Sequence, residues 1–180
     1  MSTRTVVAVL AAAVLPQVVV AQATPAGAVS PVSSAFREST RDFAKNLTAA
    51  AETMPAEKYA FKPTPAQMSF GDIVVHLTQG NDYLCGAIGG AKAPQRSAVK
   101  ATDAKAVLVA RLKETFAFCD DALTKLDDTK LGEQLPFFGG RTMSRAAIMN
   151  LTTGDFADHY SQAAIYLRMN GKLPPTAKKQ

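Results

Sequence analysis

Residues 144–171 read SRAAIMNLTTGDFADHYSQAAIYLRMNG, and this stretch decides the fold. Ser144 is a good helix N-cap, Gly171 a good terminator, and Pro174-Pro175 prevents a restart. The predicted helix therefore runs from Ser144 to about Asn170. With each residue advanced by about 100°, Ile148, Leu151, Asp155, His159, Ala163 and Tyr166 fall on one face, within an arc of roughly 120°. That face should meet a core, yet it carries Asp155 and His159 in its middle. The two are spaced i,i+4, so their side chains stack. A carboxylate buried there without a partner would cost several kcal/mol, so something must compensate it.

Three more amphipathic segments precede this helix. Ser33 or Ser34 can cap the first, in which Phe36, Phe43, Leu47, Ala50 and Met54 recur at helical spacing before Pro55 ends it. Lys58 to Pro65, with two prolines, reads as a loop. Ser69 can cap a second helix, with Asp72 in the first turn where the helix dipole favours negative charge. Phe70, Ile73, Val74, Leu77, Leu84 and Ile88 form its apolar stripe, and Gly89-Gly90 stops it. A basic, proline-containing loop spans Ala91 to Ala101. Asp103 can cap a third helix reaching about Leu126, with Val107, Leu108, Leu112, Phe116, Cys119 and Leu123 inward. Asp127 to Met143 holds Pro136, Gly139 and Gly140 and reads as a long excursion around Leu135, Phe137 and Phe138. Met68, Met143, Met149 and Met169 read as core filler. Four long helices without convincing strand alternation make an all-α four-helix bundle.

The N-terminus is a different kind of sequence. Arg4 precedes an almost wholly apolar run from Val6 to Val20, and Ala21-Gln22-Ala23 has the small-x-small spacing that a signal peptidase needs. Residues 1–23 are therefore expected to be a signal peptide, 24–32 a linker, 33–175 the bundle domain and 176–180 a tail. A membrane anchor is the alternative, but the run is shorter than the ~20 residues of a spanning helix and Pro16 breaks it. The expected location is outside the cytoplasm, periplasmic or secreted, with no stable membrane association after processing. Roughly 155 residues then remain, enough to bury one core.

An oxidising compartment permits a disulfide between the two cysteines, Cys85 and Cys119, provided their helices are adjacent. The alternative is a pair of buried thiols acting as small apolar residues. The formal net charge of +5 is scattered, and aromatic residues do not alternate with basic ones, so no nucleic-acid footprint is seen. No phosphate loop, Ser-His-Asp triad or zinc finger is present. Asn46 and Asn150 begin N-x-Thr sequons, treated as chance.

The chain has only two histidines. His76 lies at the edge of the second helix's stripe. If that helix packs on the fourth, His76, Asp155 and His159 converge. Two imidazoles and a carboxylate bind Zn, Fe(II), Ni or Mn well and leave positions open for water or substrate. The plainer alternatives are a structural Asp–His hydrogen bond and a boundary histidine. Asp72, Asp158 and Tyr160 are placed to support the ligands, and Arg168 either binds an anion or answers the helix dipole.

Several motifs, in order, carry a resemblance. Asp158-His159-Tyr160-Ser161-Gln162, with Tyr166-Leu167-Arg168 and then Gly171 and Pro174-Pro175, resembles the end of a DinB-superfamily domain. Tyr59 to Pro65, Ser69-Phe70-Gly71 and His76 are similar to that family's loop into its second helix and its first histidine. Phe138-Gly139-Gly140 resembles its loop before the last helix. The resemblance covers essentially the whole mature chain. It implies an up-down-down-up four-helix bundle and a divalent metal held by three histidines. His76 matches the first and His159 the last, whereas Asp155 stands where the family usually has its middle histidine. Ser161, where the family often has glycine, is a smaller departure.

The resemblance also implies activity on a small-molecule substrate, because such domains include thiol-dependent transferases and isomerases and others that resemble hydrolases. Low-molecular-weight thiols are cytosolic, so an export signal argues against the thiol version. Three readings follow: a metal-dependent hydrolase or transferase, a non-catalytic bundle that binds a metal or small ligand, and an interaction protein without metal. Homodimerisation is left open.

Overall fold

A computed structural model describes residues 30–177; the expected signal peptide and residues 178–180 of the tail lie outside this range. Four helices dominate: α1 (Pro31–Thr53), α2 (Phe70–Gly89), α3 (Lys105–Leu123) and α4 (Arg145–Met169). Met54 takes an extended conformation with ψ 126°, as a residue before proline prefers, and this ends α1 ahead of Pro55. At Ser69 the expected cap is a full capping box: the Ser69 hydroxyl accepts from Asp72 N, and the Asp72 carboxylate accepts from Ser69 N. Gly90 closes α2 in the left-handed region at φ 70°. Ser144 caps α4, accepting from Ala147 N at 3.2 Å.

Other ends differ from the local reading. α1 begins at Pro31, so the last residues assigned to the linker are helical, and neither Ser33 nor Ser34 caps it. Asp128, some 95 residues away, does so instead, accepting from Val32 N at 3.1 Å and Ser33 N at 2.8 Å. At the other end of α1 the Lys105 ammonium donates to Glu52 O and Met54 O. Asp103 does not cap α3; its carboxylate accepts from Lys100 N in the preceding turn. α3 ends at Leu123, three residues early.

The excursion before α4 contains a two-stranded antiparallel hairpin that sequence analysis did not anticipate. Strand β1 (Gln134–Phe137) pairs with β2 (Arg141–Ser144) in the register Leu135 to Met143 and Phe137 to Arg141. Gly139 and Gly140, at φ 68° and 71°, supply the reversal between them. Four-residue strands are too short for alternation to stand out, and Pro136 argues against a strand on its own.

Contacts along the helices establish their directions. Asn81 bonds Thr115, and Cys85 pairs with Cys119, so α2 and α3 run parallel. Arg41 bridges Asp120 and Lys113 bridges Glu52, so α1 and α3 are antiparallel. Tyr166 reaches Met68 O and Arg145 reaches Ala87 O, so α2 and α4 are antiparallel. This is the up-down-down-up bundle. Parallel neighbours need a crossover, and residues 90–104 provide it by running back along α2. Two glycines permit the close passage: a Cβ on Gly71 would lie 2.7 Å from Ala101 O, and one on Gly86 would lie 2.9 Å from Ala91 O.

Two apolar clusters fill the bundle. One gathers Leu47, Ile73, Leu77, Leu112, Phe156 and Leu167, and the other Phe36, Ile88, Leu123 and Ile148 around the cysteines. Each fully buried large side chain contributes roughly 1.5–3 kcal/mol. Val107, expected inward, is exposed, as are Met68 and Met169; Met149 is buried as expected and Met143 partly so.

Candidate metal centre

α2 and α4 each bring part of the site to their shared edge. On α2, the buried stripe of Phe70, Val74, Leu77 and Asn81 faces inward, which leaves His76 on the flank toward α4 with about half its side chain exposed. On α4, the buried face is Ile148, Met149, Thr152, Phe156, His159, Ala163 and Leu167. Its centre is turned about 60° from the expected position. Asp155 therefore sits at the rim with its side chain 30% exposed, and Leu151, expected inward, is 44% exposed. Asp155 reaches water, so it does not carry the full cost of a buried carboxylate. His159 is buried.

The structure brings His76, Asp155 and His159 together. One ligand atom from each lies within 4.8 Å of the other two. Asp155 Oδ1 is 3.5 Å from His76 Nε2 and 3.4 Å from His159 Nδ1. His159 Nδ1 donates to the backbone carbonyl of Asp155 at 2.7 Å, which leaves Nε2 as the nitrogen with a free lone pair. Metal-bound imidazoles characteristically have their other nitrogen held this way. Ligand atoms about 2.0–2.2 Å from one ion lie roughly 3–3.5 Å apart, the spacing found between His76 and Asp155. The imidazoles stack with centroids 4.6 Å apart and planes 16° from parallel. Sharing one ion requires the rings to tilt toward each other, and half-exposed His76 has room to turn. The donor set thus fits a divalent cation in type and span.

The three residues expected to support the ligands are engaged elsewhere. The Asp72 carboxylate is held by Ser69, whose hydroxyl and backbone N–H bonds keep the acid below the usual aspartate range. Asp158 is exposed and accepts from Gln162 Nε2. The Tyr160 hydroxyl binds Thr176. Arg168 turns back to Ala164 O on its own helix, a helix-terminal role. Cys85 and Cys119 are joined by a disulfide with Cα atoms 5.0 Å apart; both are buried, on the far side of α2 from His76.

A family model for the DinB superfamily matches residues 40–163. The chain belongs to the DinB superfamily. Solved DinB-like proteins share its architecture. One from Bacillus subtilis is 19% identical, with 81% of this chain and 99% of that one covered at a TM-score of 0.64. Another, from Bacillus cereus, is 15% identical, with 81% and 97% covered at a TM-score of 0.66. At these identities the likeness establishes the DinB-like fold alone. No curated protein matches the chain.

Proposed function

We propose that this chain is an exported DinB-superfamily protein that holds a divalent metal through His76, Asp155 and His159 and uses it in hydrolysis or group transfer on a small molecule. The observation that carries this reading is the convergence of the three groups across the α2/α4 edge, with His159 Nδ1 already committed to the Asp155 carbonyl. A bound metal supplies Lewis-acid stabilisation of an anion formed on a nucleophile or substrate. The protein's own part is to fix the His159 ring and to leave the His76 side open for a substrate. Two borderline imidazole nitrogens and one hard oxygen suit Zn, Ni, Fe(II) or Mn.

Export is part of the proposal. Its supports are the apolar run from Val6 to Val20, the Ala21-Gln22-Ala23 cleavage pattern and a disulfide of the kind that persists in oxidising compartments. Among the described residues no helix is long and apolar enough to cross a membrane.

One observation favours a second reading, a bundle that binds a metal or small ligand without turnover: Asp72, Asp158 and Tyr160 all have polar partners away from the trio, so none of these three is poised as a general base beside it.

Elemental mass spectrometry on purified protein tests the metal. Near-stoichiometric metal, lost in both His76→Ala and His159→Ala, supports the reading. His76→Ala keeps the test clean, because a half-exposed side chain can be removed without disturbing the fold. No metal in the parent after reconstitution with Zn, Ni, Mn and Fe(II) rejects it. Hydrolase and transferase assays on the loaded protein then separate catalysis from binding alone.

A further inference from the structure

α1 packs on α3 and α4, and α2 packs on α3 and α4, so the α1/α3 edge lies across the bundle from the trio. A cavity of about 250 Å³ opens there. Its walls come from i, i+4 and i+7 positions of each helix: Arg37, Arg41 and Ala44 on α1, and Phe116, Asp120 and Leu123 on α3. That spacing puts side chains on one helix face. The Arg41–Asp120 pair, bridging antiparallel helices, sets Ala44 level with Ala117, which also lines the cavity. Two methyl groups stand where longer side chains would close the gap.

The floor is apolar and the mouth is cationic. Phe116 and Leu123 belong to the buried core and form the floor. Of the charged residues lining the cavity, two are positive, Arg37 and Arg41, and one is negative, Asp120. The arginines sit one turn apart on the same helix, an arrangement that like-charge repulsion disfavours. Asp120 answers only Arg41, accepting from its Nε at 2.5 Å; among the described residues the two Nη nitrogens of Arg41 have no hydrogen-bond partner. Arg37 is fixed by neutral acceptors, Leu126 O at 2.5 Å and Ser34 Oγ at 3.0 Å. Asp128 also feels the Arg37 charge, but its oxygens are engaged on the first N–H groups of α1. A positive charge is therefore left unmatched beside an apolar floor, and the end of the Arg41 guanidinium has the shape that grips a carboxylate through two parallel hydrogen bonds.

We propose that this cavity is a second ligand site, for a small organic acid: a monocarboxylate with a compact aryl or short alkyl body. The carboxylate lies on Arg41, within the field of Arg37, and the body rests on Phe116 and Leu123. The volume falls just below the range of about 300–1,000 Å³ that holds drug-sized ligands, so the occupant is a smaller molecule, of the size of phenylacetate. An inorganic anion would leave the apolar floor uncovered, and a neutral hydrocarbon would leave the Arg41 donors unpaired. The site stands apart from the trio and does not depend on a metal there.

The probe is phenylacetate, titrated into ¹⁵N-labelled protein and followed by amide chemical shifts, with EDTA present so that no metal contributes. The expected result is saturable binding whose shifts centre on α1 and α3 around Arg41 and Ala117. Acetate, which lacks the body, and phenylacetamide, which lacks the charge, should each bind at least about fivefold more weakly. Arg41→Gln removes the charge and Ala117→Leu fills the space; each should weaken phenylacetate by at least about fivefold. Both positions are exposed, so the variants should fold, and their melting temperatures check it. Absence of saturable binding overturns the proposal. So does equal binding of acetate or inorganic phosphate, which marks an unspecific cationic surface, and so does phenylacetate affinity that both folded variants retain, which places the ligand elsewhere.

Discussion

His159 Nδ1 donates to the carbonyl oxygen of Asp155, one turn earlier on its own helix, at 2.7 Å. A backbone carbonyl can only accept, so the neutral ring keeps its proton on Nδ1 and presents Nε2 as the free donor atom. The helix thereby selects the tautomer without recruiting another side chain. Exchanging His159 for glutamine should lower metal affinity by at least about tenfold, because the amide is a weaker donor and lacks the ring's fixed direction. Competition with a chromophoric chelator measures it.

Asp155 offers a more pointed test. Its carboxylate stands at the rim, 3.5 Å from His76 Nε2, with its side chain 30% exposed, so a larger side chain can be accommodated. Asp155→His should shift preference toward Zn and Ni over Mn, by roughly tenfold in the ratio of dissociation constants, because imidazole suits the former and carboxylate the latter. Equal ratios in the two proteins would show that residue 155 is not a ligand.

The disulfide closes a loop of 34 residues in sequence between two parallel helices. Chain-entropy arguments assign such a loop about 3–4 kcal/mol. Cys85→Ala/Cys119→Ala should lose stability of that order in urea unfolding while still binding metal, because both sulfurs lie across α2 from His76. Reduction of the parent under denaturing conditions should give the same midpoint.

Glycines in this bundle divide into those the fold needs and those it does not. Gly154 lies in the middle of α4 with nothing within 4 Å of a built Cβ, so Gly154→Ala should stabilise by about 0.5–1 kcal/mol. Gly86→Ala and Gly89→Ala should destabilise, because their Cβ atoms would meet Ala91 O at 2.9 Å and Ala122 O at 2.1 Å. Thermal melts of the three variants suffice.

Asp72 carries a pH signature. The Ser69 hydroxyl and backbone N–H hold its folded-state pKa below the ordinary aspartate value. A depressed folded pKa contributes stability that is present above the unfolded value and lost as pH falls through the folded one. The melting temperature of the parent should therefore exceed that of Asp72→Asn at pH 6, and the gap should narrow progressively below about pH 4. Ser69→Ala should cost about 1 kcal/mol near neutrality, as loss of an N-cap does.

The features read correctly in the chain are those set within a turn or two. Proline after Met54, the Ser69 cap, Gly90 and the Ser144 cap all act through backbone atoms one to four residues away, and each bounds a helix where expected. Family motifs supplied the helix directions, which no local signal carries. The hairpin escaped notice because four-residue strands containing Pro136 have no period to detect. Six residues on one face predict Leu151 inward, whereas α4 is turned so that Phe156 packs on Phe43 of α1.

Sequence alone therefore accounted for the four helices, most of their ends, and the i,i+4 pairing of Asp155 with His159, since caps and helical periodicity are short-range properties. Tertiary structure alone brought His76 to that pair, capped α1 with Asp128 and set Asp155 at a wet rim. These outcomes depend on how helices distant in sequence rotate to bury the most apolar surface, and no single helix carries that information.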